Sequence, residues 1–184
     1  MKIGIIIGSV REGRFGEAVG KWVLEGAQAR GSENFDYEII DLLEFNVPLL
    51  TSGVVPGAAN KQYDDPNVQA WSKAIDGVDG FVFVTPEYNH GVPGPMKNAY
   101  DSLGSEWFRK PVGFVGYGAS NAIRAIEQWR QIVSNFAQID VRNQVELSIF
   151  ADADEEGFAP GERRAGELEG MLNSLEEAVT IMNR

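Results

Sequence analysis

The chain has 184 residues, 43% of them hydrophobic, and a formal net charge of −11. It is long enough to bury a full core without staples. With no Cys and a single His, His90, it can form no disulfide, no thiolate metal site, no thiol nucleophile and no multi-histidine metal cage within one chain. Its acidic field repels nucleic acid and anionic membranes, so neither is expected as a partner.

No apolar run approaches a membrane span. Residues 1–8 are too short for a signal peptide and lack its charged segment and cleavage site. A soluble cytoplasmic protein is the expectation, with residues 1–184 forming one domain. The first strand is "KIGIIIG", rich in Ile and closed by glycine. A helix over about 17–30 follows, with Val19, Trp22, Val23 and Ala27 at helical spacing. "DYEIIDL" reads as the second strand. Residues 46–67 read as a long loop, of the kind that is functional or disordered inside a compact domain. A helix over about 68–77 leads to the third strand, "GFVFVT", whose lack of alternation fits a central strand covered on both faces. A helix then begins near Pro95, with Gly94 as its cap. "PVGFVGY" is the fourth strand, and a long helix covers about 121–137. The fifth strand lies within "IDVRNQVELSIF". An acidic loop and a helix over about 163–182 end the sequence.

This alternation predicts an α/β fold with a parallel sheet wrapped by helices in three layers. Either the flavodoxin-like strand order 2-1-3-4-5 or a Rossmann half fits it. Both bind ligands at the carboxyl ends of the strands, beside the switch point. The loops after the first, third and fourth strands therefore carry the search for a site.

The first is "GSVREGRFG", residues 8–16. Gly8 and Gly13 have the P-loop spacing, but Arg14 and Phe15 stand where Lys and Ser or Thr belong. Without the lysine and the metal-binding hydroxyl, hydrolysis of a nucleoside triphosphate is disfavoured. The dinucleotide glycine fingerprint is absent too. The loop still suits a phosphate monoester. Glycines allow close backbone approach, Ser9 offers a hydroxyl, Arg11 and Arg14 offer charged donors, and the loop opens a helix. An ordinary glycine-rich turn with two solvated arginines is the plainer alternative. The charge distribution agrees with an anion here: residues 1–30 hold five basic and three acidic groups, and residues 151–184 three basic and nine acidic.

The second loop is "TPEYNHGVPGPMKNAYD", residues 85–101. Its prolines stiffen it and its glycines let it bend. Tightly set amides could meet the rim of a planar ring, with Tyr88 over one face. Glu87 also fits a solvated carboxylate, Lys97 a surface helix residue, and His90 a polar loop residue as well as an acid–base group. The third loop is "GYGASNA", residues 116–122, where Ser120 reads as a helix N-cap. Ala122, Ile126, Trp129 and Val133 form a core stripe on the helix behind it. Asp41, closing the second strand, could bind a ribose or act as a cap.

In this order after successive strands, "GSVREGRFG", "TPEYNHGVPGPMKNAYDSL" and "GYGASNAIRAIEQWR" resemble the NADPH-dependent FMN reductase family. The "PEYN…PG…KNA.D" portion is the most specific part, and the match spans about two-thirds of the chain. The resemblance implies a flavodoxin-like fold with bound FMN, and NADPH or NADH as electron donor. It implies that Ser9, Arg11, Arg14, Phe15 and Gly16 hold the FMN phosphate. Pro86, Glu87, Tyr88, Asn89 and His90 would lie against the isoalloxazine ring, and Gly118, Ala119 and Ser120 along its far edge. It also implies a homodimer or homotetramer and a small-molecule acceptor: a quinone, flavin, azo dye or metal oxyanion such as chromate. The chain departs from the family pattern at Phe15, Gly16, His90, Gly91, Asn121 and Ala122. No catalytic side chain and no metal ligand is assigned, because a flavin would carry the redox chemistry. A flavodoxin-type electron carrier is the alternative, and a flavin-free interaction module a third.

Overall fold

A computed structural model describes residues 1–184. Its centre is a five-stranded parallel sheet of order β2-β1-β3-β4-β5. The elements are β1 (Lys2–Ile7), α1 (Gly16–Ala29), β2 (Asp36–Asp41), α2 (Leu42–Phe45), α3 (Pro66–Asp76), β3 (Gly80–Pro86), α4 (Gly94–Asp101), β4 (Val112–Gly118), α5 (Ile123–Val133) and β5 (Asp140–Ser148). A small antiparallel hairpin, β6 (Ala153–Asp154) with β7 (Gly157–Phe158), precedes α6 (Glu162–Met182). This is the flavodoxin-like arrangement, and it resolves the choice that the sequence left open.

The continuous apolar strands hide an alternation of size. On β3, Val82 and Val84 enter the core under α1 and α6. Phe81 and Phe83 enter the opposite core, under α3, α4 and α5, with Trp71, Trp107, Trp129 and Tyr100. Valines thus pack beneath the helices of one face, while aromatics fill the layer on the other. Both faces of β3 and β4 are buried along their whole length, so their carboxyl ends are rigidly placed.

Several boundaries differ from the expectation for local reasons. α3 begins at Pro66, because Asp65 accepts from the amides of Asn67 and Val68 and Pro66 fits the first turn. Gly94 lies inside α4, with Pro93 in the cap position. α5 is shorter than 121–137 and ends in a tight turn over 134–136. β5 carries a bulge, its register against β4 shifting between the Val112 and Phe114 pairs. Arg130 straps that irregular edge by donating to Asp140 at 2.6 Å, Val141 O at 3.0 Å and Gln144 at 2.7 Å. The acidic loop contains the β6–β7 hairpin. Asp152 anchors its base by accepting from Ser148 N at 2.7 Å and from Arg164 Nε at 3.0 Å.

The 46–67 loop is pinned to the body. Its Tyr63 hydroxyl donates to Glu106 Oε1 at 2.8 Å, and Glu106 is fully buried. Ser72 donates to the same oxygen at 2.7 Å, and Gly104 N to Oε2 at 3.0 Å. A buried carboxylate with three donors is a strong local anchor, because removing it leaves those donors unpaired. Glu106→Ala should therefore lower the unfolding free energy by about 2–4 kcal/mol. Tyr63→Phe should cost only about 1 kcal/mol. Urea denaturation compares the two, and equal losses would place the anchor elsewhere.

Candidate active site

The loops after β1, β3 and β4 meet at one end of the sheet. The first runs from Gly8 into α1. Gly13 sits at φ +60°, a conformation that favours glycine. The helix it opens has 14 residues, and Phe15 at its cap position makes no side-chain bond to the first turn. The first-turn amides thus point into the loop without a cap, and the helix field adds to them.

Arg14 and Arg11 have different placements. The Arg14 side chain is 9% exposed and its fork embraces Asp41, with Nη1 to Oδ1 at 2.6 Å and Nη2 to Oδ2. Nη1 also donates to Ser9 O at 2.9 Å. Beside that carboxylate, the guanidinium is held in its charged form even more firmly than usual. Asp41 also accepts from Leu43 N at 3.0 Å, capping α2. The strand-end Asp is thus an arginine partner and a cap. Arg11 is exposed, its guanidinium 5.7 Å from the centre of the Tyr88 ring. Ser9 is buried, and its Oγ shares a 2.7 Å hydrogen bond with Tyr88 Oη. This bond ties the first loop to the second.

The second loop is a two-residue turn. Tyr88 and Gly91 exchange both backbone hydrogen bonds at 3.1 Å. Asn89 and His90 between them lie at φ 50° and 66°, as a type I′ turn requires. The Asn89 and His90 amides donate to no group in the protein. Helix α5 grips this turn. Gln128 donates to His90 O and accepts from Val92 N, both at 3.1 Å. Trp129 Nε1 donates to Thr85 Oγ1 at 3.0 Å.

Glu87 belongs to this grip. Its side chain is 6% exposed and pairs with Arg124 at 2.8 Å. It also accepts from Arg124 N at 3.0 Å and Ala125 N at 3.4 Å, and so caps α5 from another loop. That overturns the expected role of Ser120, which is an exposed turn residue. α5 starts at Ile123, after Asn121 and Ala122 in left-handed conformations. Gly118 is buried, while Ala119 and Ser120 stand exposed beside the second loop.

Phe15 turns its ring away from the loop, onto Tyr117 at 5.7 Å and Phe158 at 5.3 Å between ring centres. Only its backbone faces the cradle. Tyr117, the penultimate residue of β4, lies beneath that loop. Its hydroxyl is buried and without a hydrogen-bond partner. A Cβ added to Gly16 would stand 2.5 Å from it. Burial pushes the Tyr117 phenol well above its ordinary range, so it stays protonated. An uncapped helix, a free guanidinium and an orphaned buried hydroxyl around a glycine loop fit a phosphate group.

A model of the NADPH-dependent FMN reductase family matches residues 1–152. The chain belongs to that family. Its relatives include an NAD(P)H-dependent FMN reductase from Nectria sp., 33% identical across all of this chain and 98% of that one. Another, from Saccharomyces cerevisiae (strain ATCC 204508 / S288c), is 31% identical over 72% of this chain and 73% of its own. A solved flavoenzyme, an NAD(P)H:(acceptor) oxidoreductase from Paracoccus denitrificans, shares the fold. It has a TM-score of 0.75 and 18% identity over 96% of this chain and 98% of its own. Membership places the chain in a family of flavin-dependent oxidoreductases.

Sequence reasoning singled out neither Tyr117 nor the α5 residues Arg124 and Gln128. A phenol among glycines in an otherwise apolar strand was the available signal for Tyr117. The α5 contacts join residues more than 35 positions apart and leave no local pattern. The two arginines of the first loop should separate experimentally. Arg14→Ala strands the carboxylate of Asp41 and should lower stability by about 3 kcal/mol. Arg11→Ala should change it by less than about 0.5 kcal/mol. Denaturant melts of both variants check this, and an undamaged Arg14→Ala would show that the pair does not hold the loop.

Proposed function

We propose that this protein is an FMN-dependent NAD(P)H oxidoreductase. It takes hydride from a nicotinamide and delivers reducing equivalents to a small acceptor of the quinone, flavin, azo or metal-oxyanion class. The observation that carries this reading is the phosphate cradle after β1 locked by Ser9 to the rigid turn after β3. When bound, FMN supplies the hydride chemistry.

The chain's residues do the rest. The first-turn amides of α1, Ser9 and Arg11 would hold the phosphate, and Arg14 keeps the loop in shape through Asp41. Pro86 to His90 would lie along the ring, and the unused amides of Asn89 and His90 would offer donors to negative charge at its rim. These donors are fixed before the reaction by Gln128 and Glu87, so they need no reorganisation during it. Gly118 to Ser120 would border the far edge. A ping-pong order, in which nicotinamide and acceptor bind in turn, would require no side chain as acid or base.

Exposed apolar side chains on the 46–67 loop, Leu49, Leu50, Val54 and Val55, support the further reading that a second copy of the chain covers this region in a homodimer or homotetramer. No helix is long and apolar enough to cross a membrane, which agrees with a cytoplasmic location. The net charge of −11 favours one other reading, an electron carrier that docks to a basic protein.

The deciding experiment is anaerobic. Protein is mixed with FMN, freed of unbound flavin, and given NADPH and then NADH while its visible spectrum is recorded. The expected result is yellow colour that stays with the protein and bleaches on addition of nicotinamide. Retained colour that neither donor bleaches would identify the carrier. Colour that does not stay would remove tight FMN binding from the reading.

A further inference from the structure

The Tyr117 hydroxyl is out of place by the ordinary rules of buried polar groups. Its ring packs in the core beneath α1, against Phe15. The residue is 5% exposed and its Oη has no partner. Leaving such a group unpaired costs stability, and a Phe would fill the same space without that cost. The hydroxyl does not point into apolar side chains. It ends under the first turn of α1, where an added Cβ at Gly16 would come within 2.5 Å of Oη and 3.1 Å of Cζ. Ser9 next to it is already bonded to Tyr88 Oη. Arg14 makes no hydrogen bond to it either, its fork being turned to Asp41 and Ser9 O. What remains beside this hydroxyl is the cradle itself, with its uncapped amides.

We propose that Tyr117 is a binding residue for the phosphate, its hydroxyl donating from below the loop to a phosphate-monoester oxygen. This rests on the reading of the loop after β1 as a phosphate site. Tyr117 then sets selectivity. It rewards a ligand that carries a phosphate and gives nothing to the same ring system without one. Gly16 is part of the device, since a side chain there would collide with the hydroxyl and close the approach. The unpaired hydroxyl is a stability cost carried for binding, in the way functional sites commonly trade one for the other.

The test compares wild type with Tyr117→Phe as full chains. FMN and riboflavin are each titrated while flavin fluorescence is followed, and both proteins are melted without ligand. Wild type should prefer FMN to riboflavin. Tyr117→Phe should lose about tenfold in FMN affinity, the size of one hydrogen bond to a charged group, and keep its riboflavin affinity. Its unliganded melting temperature should equal or exceed that of wild type. Unchanged FMN affinity would overturn the proposal, as would equal losses for FMN and riboflavin. So would a lower melting temperature, because a hydroxyl bridged to the loop by water, or bonded within the fold, would be missed by the unliganded protein. A wild type that binds both flavins equally would instead overturn the phosphate-site reading, and Tyr117 with it.

Discussion

The ion pair between Arg14 and Asp41 is the constraint on which the rest of the site depends. A nine-residue loop with three glycines would otherwise sample many shapes, and ordering it on binding would consume affinity. Here one side chain holds three points together: the end of β2, the carbonyl of Ser9 and the start of α1. The two charges are nearly buried, 9% and 12% exposed, and each satisfies the other in a fork geometry that lysine could not reproduce. The cost is that Arg14 ceases to be a free cation. The positive character of the cradle is left to Arg11 and to the helix terminus, and Asp41 is not free to meet a ribose.

From that fixed loop the other two are positioned in sequence. Ser9 reaches Tyr88, the Tyr88–Gly91 turn is gripped by Gln128, and Glu87 caps α5. One helix therefore serves as a backing plate for the turn, while its own buried stripe of Ala125, Ile126, Trp129 and Val133 locks into the aromatic layer of the core. The aromatic face of β3 and β4 thus has a part in the site: it fixes where α5 stands, and α5 fixes the turn.

The fold and the three loops were legible because they follow from local chemistry. Ile-rich and Phe-Val runs closed by glycine announce buried parallel strands, and Pro95 announces a helix start. What could not be read were partnerships across the chain. Ser120 has the composition of a cap, but a carboxylate from another strand end outcompetes it, and the left-handed Asn121 and Ala122 displace the helix start by two residues. Arg14 looked equivalent to Arg11 in the sequence, and only the end of β2 distinguishes them. The strand after α5 was blurred because its bulge and its polar residues serve Arg130 rather than a regular pleat. Tyr117 was hidden by its neighbours, since a buried strand of Val, Phe and Gly invites no question about one hydroxyl.

The acidic residues at the strand ends follow a common arrangement. Asp41 closes β2, Glu87 follows β3, and Asp152 follows β5. Their side chains are 12%, 6% and 6% exposed, and each faces an arginine: Arg14, Arg124 and Arg164. These three carboxylates are thus internally compensated, while exposed ones such as Glu12 in the first loop are not. Dissolved ions act mainly on exposed charges more than a Debye length apart, and far less on buried pairs. Salt therefore acts on the outer surface, which governs solubility and distant encounters. At the mouth of the site the exposed Arg11 is open to the same screening, while the nearly buried Arg14–Asp41 pair that shapes the loop is largely shielded from it.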